Sequence, residues 1–219
     1  RQWGDFLLLG GCGHRVGQKG KGGYEQLRQK ARRLFPKARE EFAWAAQDCM
    51  TLDGIPYIGQ FSSTTPHLYV ATGFGKWGMT SSMAAAMILS DLITDQPNPD
   101  AEVFSPQRMH WGASLSNLLS GGGHTAAGWL KRLFYVPISQ ADQLARGEGG
   151  IVNYQGKKAG VYKDEEGNVY AVSIRCPHLG CQLEWNAQER TWDCPCHGSR
   201  FDYRGKRLDT PANYDCPRK

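Results

Sequence analysis

Two short stretches of this 219-residue chain carry the side chains best suited to hold a metal. Cys176-Pro-His178-Leu-Gly-Cys181 sets a thiol and an imidazole two positions apart, and Cys194-Pro-Cys196-His197-Gly-Ser199 sets another such pair three apart. Fifteen residues separate His178 from Cys194, so two loops each offer one Cys and one His. Two thiolates and two imidazoles satisfy a tetrahedral zinc ion. Of the seven cysteines, Cys176, Cys181, Cys194 and Cys196 crowd into these loops, which means a metal site, a disulfide or both. A zinc site leaves Cys181 and Cys196 unexplained.

The pattern C-x-H, fifteen residues, C-x-x-H, with one further Cys in each loop, closely resembles the Rieske [2Fe–2S] proteins from about Val136 onward. The resemblance implies Cys176, His178, Cys194 and His197 as cluster ligands, and a Cys181–Cys196 disulfide joining the two loops. Covered by the site that it stiffens, such a bridge can persist in a reducing cytoplasm. Two free buried thiols are the alternative. The charge argument for this ligation is direct. A diferric core with two sulfides carries two positive charges; four thiolates would make it a dianion, whereas two thiolates and two neutral imidazoles leave it neutral. Adding an electron to a neutral cluster costs less, so the potential rises to roughly −150 to +300 mV against about −400 mV for plant-type ferredoxins. Each ligating ring keeps a second nitrogen that can lose a proton on oxidation, which lowers the potential at alkaline pH.

Two neighbours are expected to tune the cluster. By the resemblance, Ser199 donates to a cluster sulfide. Phe201 stands where respiratory members carry a Tyr whose hydroxyl donates to a ligand sulfur, which implies a potential below that high-potential class. Thr210-Pro-Ala-Asn213 replaces the family's Gly-Pro-Ala-Pro covering loop. Trp185 and Trp192 are expected to pack in the core or cover the cluster.

The first half carries a different signature. Asp53-Gly-Ile-Pro-Tyr-Ile-Gly59 and Tyr69-Val-Ala-Thr-Gly-Phe-Gly-Lys-Trp-Gly-Met79 resemble the C-terminal segment of FAD-dependent amine and amino-acid oxidoreductases of the D-amino-acid oxidase type. The resemblance implies that the glycine loop runs under the flavin ring, with Gly73, Gly75, Lys76, Trp77, Gly78, Met79 and Thr80 as the contact positions. Glycines let backbone N–H groups approach closely, and a helix start supplies about half a positive charge to an anionic reduced flavin. A glycine-rich turn capping a helix is the plain alternative. The family's phosphate-binding G-x-G-x-x-G is absent, and Gly10-Gly-Cys-Gly-His14 does not replace it, because the next helix begins some ten residues later. The chain is therefore read as a C-terminal portion whose FAD site is completed by residues N-terminal to Arg1. Cys12-Gly-His14 lacks a companion C-x-x-H outside the second half, so a metal is not expected there; His14 facing substrate is the other reading. Cys49 and Cys216 read as ordinary thiols, and His67, His110 and His124 as unassigned histidines.

The elements that position these groups follow from periodicity and turn residues. Residues 5–10 read as a buried strand, and residues 24–34 as a helix stopped by Pro36. Residues 42–45, 56–58 and 67–71 read as short strands. A glycine turn at 72–78 leads into a helix at 80–92 with Thr80, Ser81 and Ser82 as available caps. Short helices are expected at 114–119 and 125–133, and strands at 151–154, 158–163 and 169–174, the last two joined by a hairpin at 164–168. A boundary falls near 133–139. The expected fold class is α+β: a partial α/β region of the FAD-dependent type at 1–105, a helical linker at 106–135, and an all-β Rieske domain at 136–219.

The net charge of +5, from 26 basic and 21 acidic side chains, is too diffuse for a nucleic-acid partner. No apolar run approaches the ~20 residues of a membrane span, and a cytoplasmic protein is expected. Both halves together point to an FAD-dependent oxidoreductase that takes a small amine or amino-acid-like substrate and passes its electrons through a Rieske cluster to an unidentified acceptor. A non-enzymatic electron-carrier or regulatory module is the alternative. A ring-hydroxylating oxygenase is disfavoured because those enzymes place the Rieske domain first.

Overall fold

Glycine, asparagine and aspartate turns cut the second half of the chain into short strands. The computed structural model, which describes residues 2–16, 22–108, 130, 137 and 140–219, pairs these strands antiparallel. The chain separates into two units, residues 46–123 and residues 1–45 with 124–219.

In the latter unit β5 (Gly149–Tyr154), β6 (Lys157–Lys163) and β7 (Val169–Val172) form a three-stranded sheet in sequence order. Asp164 shapes the β6–β7 turn: its carboxylate accepts from Asn168 N at 2.7 Å, and Gly167 closes the turn at φ 95°. This is the hairpin expected at 164–168. A second sheet, in order β11-β10-β9-β8, joins β8 (Glu184–Asn186), β9 (Thr191–Asp193), β10 (Arg200–Asp202) and β11 (Arg207–Asp209). The all-β character expected of this half holds.

Trp192 and Phe201 face each other across β9 and β10, both fully buried, and Trp185 packs on Trp192 with ring centroids 4.7 Å apart. A Cβ on Gly160 would lie 2.7 Å from the Trp192 indole, so glycine on β6 lets that ring come flush against the first sheet. Trp185 and Trp192 thus pack in the core, as expected. Burying a residue such as Phe201 contributes about 1.5–3 kcal/mol. The C-terminal residues complete the edge of β7, where Ser173 N donates to Pro217 O at 2.7 Å and Lys219 N to Ala171 O at 2.9 Å.

Two expected strands near the N-terminus are corrected. Instead of a buried strand at 5–10, β1 (Gln2–Trp3) and β2 (Phe6–Leu7) form a two-residue ladder, with Phe6, Leu7 and Leu8 at 49%, 46% and 40% exposure. So short a ladder gains little hydrogen bonding and needs a covering layer to be buried. Residues 42–45 form no strand, and Phe42 and Trp44 are exposed. The expected helix appears as α1 (Gly23–Leu34), ending before Pro36.

In the unit spanning 46–123, β3 (Tyr57–Gln60) and β4 (Tyr69–Thr72) form a hairpin, followed by α2 (Gly78–Ile93) and α3 (Ala101–Phe104). Ile58, Ala85 and Ile88 form its core, with Phe74, Leu92 and Phe104 packed around them. The hydroxyls expected to cap α2 turn backwards instead: Thr80 Oγ1 donates to Trp77 O at 3.1 Å and Ser82 Oγ to Met79 O at 3.1 Å. They lie inside the helix, where a hydroxyl bonds a carbonyl of the preceding turn. The expected helices at 114–119 and 125–133, the boundary at 133–139, His110 and His124 lie outside the described residues, except for helical Leu130 and for Pro137. Among the described residues no helix is long and apolar enough to cross a membrane.

Candidate functional site

The two Cys–His loops fold by the same rule. In each, a glycine four residues after the first cysteine takes the left-handed conformation, Gly180 at φ 76° and Gly198 at φ 88°. Gly180 N then donates back to Cys176 O at 2.9 Å, and Gly198 N to Cys194 O at 3.0 Å. A residue five positions on closes each loop, through Cys176 N to Cys181 O at 2.9 Å and Cys194 N to Ser199 O at 2.8 Å. Glycine suits this position because other L-residues resist positive φ. Two matching loops therefore rise from the ends of short strands and present their side chains to one another.

What they present is a closed donor set. Cys181 and Cys196 are joined by a disulfide, and Cys194 Sγ lies within 4.8 Å of both. That bridge removes Cys181 and Cys196 as thiolate donors and leaves Cys176 and Cys194, at 2% and 1% exposure, as the free sulfurs. The two thiols hydrogen-bond to each other. That contact holds the Cys176 thiol well below its ordinary range, with further lowering from hydrogen bonds at His178 and Ser199. The same contact and burial push Cys194 up. A metal bound by both sulfurs would replace that shared proton.

The His178 and His197 rings meet edge-on, with centroids 5.0 Å apart. His178 Nδ1 is buried without a hydrogen-bond partner, the condition of a nitrogen suited to a metal. His197 is exposed, yet partial desolvation first, then the charges of His178 and Arg15, lower its pKa, which favours the neutral ring that a ligand needs. Two thiolates and two neutral imidazoles fit the [2Fe–2S] core.

Ser199 is fully buried; its hydroxyl accepts from Ala212 N at 2.9 Å and bonds the Cys176 sulfur, tying the 210–213 segment to the site. Phe201 lies in the core beneath, without a hydroxyl to offer. Cys216, also buried, donates to Ser173 O at 2.7 Å, and burial pushes its thiol up to about 12.

The glycine loop in the other unit lines a cleft of about 350 Å³ together with Met50 and Thr51. Gly73, Gly75, Lys76 and Trp77 border this cleft, whereas Gly78, Met79 and Thr80 form the first turn of α2 outside its lining. At Gly73 (φ 74°) a Cβ would collide with Thr51, so glycine is required there. Asp53 is pinned by a residue that the motif did not reveal. Arg108 forms a two-pronged pair with its carboxylate, 2.7 Å on each side, and donates to Ile55 O, Pro56 O, Phe104 O and Ser105 O. The two side chains are 4% and 5% exposed, and Arg108 lies 4.3 Å over the Tyr57 ring. Nothing in the local sequence marked Arg108, since its charge partner Asp53 lies fifty-five positions away. Elsewhere, Cys12 and His14 are joined only through His14 Nδ1 and Cys12 O at 3.2 Å, with exposed side chains.

Comparison with known proteins assigns the two regions. Residues 134–217 match the family model of the Rieske [2Fe-2S] domain, and residues 1–92 that of the FAD dependent oxidoreductases. The chain thus carries a Rieske [2Fe–2S] domain and an FAD-dependent oxidoreductase region, whose cofactor types are a [2Fe–2S] cluster and FAD. It is 42% identical over 210 residues to YhfW of Bacillus subtilis (strain 168), which bears the description of a Rieske 2Fe-2S iron-sulfur protein; the match covers 94% of this chain and 41% of YhfW. It is also 32% identical over 117 residues to the cytochrome b6-f complex iron-sulfur subunit of Prochlorococcus marinus (strain NATL1A), covering 52% of this chain and 61% of that subunit. The chain thus spans less than two thirds of either relative. Among solved structures it matches the plasma membrane Rieske protein PetC3 of Synechocystis PCC 6803 at 30% identity and TM-score 0.33, over 38% of this chain and 86% of that one.

Proposed function

We propose that the chain conducts electrons out of an FAD-dependent oxidation of a small amine or amino-acid-like substrate, with Cys176, His178, Cys194 and His197 holding the [2Fe–2S] cluster. When bound, FAD would supply the two-electron oxidation of the substrate, and the cluster would supply one-electron transfer to an acceptor. The observation that carries this reading is that one chain combines a glycine-lined cleft with two buried thiols and two imidazoles that meet edge-on beside them.

Within this reading Gly73, Gly75, Lys76 and Trp77 border the flavin, and Gly78, Met79 and Thr80 direct the start of α2 toward it. The domain division follows the same reading: 1–105 for the flavin region, 106–135 as linker and 136–219 for the Rieske domain. The disulfide braces the ligand loops, and Ser199 bonds the Cys176 sulfur, so neither loop has to reorganise on electron transfer.

Anaerobic reduction of the FAD-loaded, full-length protein tests the proposal. Substrate that bleaches the flavin should also bring up the electron paramagnetic resonance signal of a reduced Rieske cluster. Bleached flavin beside a cluster that stays oxidised would sink the relay. Full-length protein that holds the cluster but no FAD would favour a carrier module instead.

A further inference from the structure

Side chains alternate across a strand, so the β9 and β10 residues flanking Trp192 and Phe201 belong to the opposite face of the second sheet. That face is charged and largely buried. Asp193 immediately precedes Cys194, Arg200 immediately follows Ser199, and the two are paired in register. Arg200 Nε donates to Asp193 Oδ1 at 3.2 Å, and its Nη2 donates to Thr191 Oγ1 at 3.3 Å and lies 3.7 Å from Glu189 Oε2. Thr191 Oγ1 donates to Asp193 Oδ1 at 2.8 Å, and Asn186 Nδ2 to Asp193 Oδ2 at 3.0 Å. Asp209, paired with Arg200 on the other side, turns its carboxylate to Thr210 N at 2.8 Å. The side chains of Arg200, Asp193 and Glu189 are 11%, 6% and 20% exposed. One guanidinium therefore serves two carboxylates, Asp193 at the base of the second ligand loop and Glu189 at the far end of β9.

We propose that Arg200 is a positioning and charge-balancing residue for the cluster: it clamps the two strands that carry the 194–199 loop and offsets the Asp193 carboxylate next to Cys194 and the Glu189 carboxylate at the other end of β9, thereby setting the cluster's midpoint potential. The inference rests on the ligand set proposed above. Reduction adds one negative charge to the cluster. In a poorly solvated surrounding a nearby carboxylate opposes that charge and a nearby guanidinium favours it. Hydrogen bonds to the sulfurs are one means of tuning; this pair acts from behind the loop, by charge.

The test compares Asp193→Asn, Glu189→Gln, Arg200→Gln and Arg200→Lys in the full-length, cluster-loaded protein by potentiometric titration of the Rieske paramagnetic signal. Asp193→Asn and Glu189→Gln should shift the midpoint up, Glu189→Gln by less, because its carboxylate is farther and more exposed. Arg200→Gln should shift it down, and Arg200→Lys should hold it near the parent. A purely structural clamp would lower cluster content without shifts of opposite sign. Glu189→Gln keeps the proposal open to refutation if the Arg200 variants fail to load, since its partly exposed site tolerates the change. A midpoint unmoved in Glu189→Gln, or same-direction shifts for Asp193→Asn and Arg200→Gln, overturns the proposal. A parent protein without the Rieske signal would refute the ligand assignment, a distinguishable failure.

Discussion

Replacing Asp53 by asparagine should weaken the 46–123 unit in a way that depends on pH. Arg108 keeps the Asp53 carboxyl at about 2 rather than the usual 3.8, chiefly through its side-chain hydrogen bonds and despite burial, which raises it. At about 1.36 kcal/mol per pH unit this difference is on the order of 2 kcal/mol of folding stability. Because the folded value lies below the unfolded one, that stability is fully present above about pH 4 and is lost as the pH falls through about 2. The Asp53→Asn variant would leave Arg108 buried without its counter-charge, a loss that reaches about 3–5 kcal/mol where nothing else compensates. Here the carbonyls of Ile55, Pro56, Phe104 and Ser105 still accept from the guanidinium, which keeps the loss nearer ~2–3 kcal/mol, on the order of the coupling just derived. With a urea slope of about 1–3 kcal/mol per molar, the midpoint at pH 7 should drop by roughly 1–2 M. Amide hydrogen exchange along β3 and α2 in the full chain during the titration assigns the change to this unit. The gap between parent and variant should narrow as the pH approaches 2. Equal midpoints at pH 7, or a gap that persists undiminished in acid, would refute the reasoning.

The other predictions concern the cluster unit. Cys181→Ser should release a loop of sequence separation 15, at about 3 kcal/mol, and bleach the cluster faster under air, followed by visible absorption. Ser199→Ala removes the hydroxyl that bonds the Cys176 sulfur and should lower the midpoint potential. Phe201→Tyr should raise the potential if the new hydroxyl meets a ligand sulfur, and a titration with unchanged midpoint would show that it does not. Gly160→Ala forces a methyl against the Trp192 indole and should cost about 1–3 kcal/mol, read as a lowered thermal midpoint with cluster content followed in parallel.

Residue types and spacing carried the chemistry of this protein. Cys176-Pro-His178 and Cys194-Pro-Cys196-His197 named a two-thiol, two-imidazole set from sequence because metal chemistry depends on donor identity, and loops of this size bring i and i+2 or i+3 together locally. The strand read at 169–174, the hairpin at 164–168 and the helix read at 80–92 were legible to within two residues at each end for a similar reason, since alternation, turn residues and apolar periodicity act over a few positions. Burial was less legible. The apolar run at 5–10 read as core, yet Phe6 and Leu7 are exposed, because burial depends on a second layer that local pattern does not contain.

Tertiary structure alone paired Arg108 with Asp53 across fifty-five positions, brought Ala212 to the Ser199 hydroxyl and set Arg200 between Asp193 and Glu189. Each is a polar contact buried by the fold, and its strength comes from exclusion of water that only packing achieves. The sequence therefore singled out the thiols and imidazoles proposed to hold a cluster and the glycine loop proposed to border a flavin. The fold decided which charges and hydroxyls stand beside them, because electrostatic influence depends on distance and burial rather than on position along the chain.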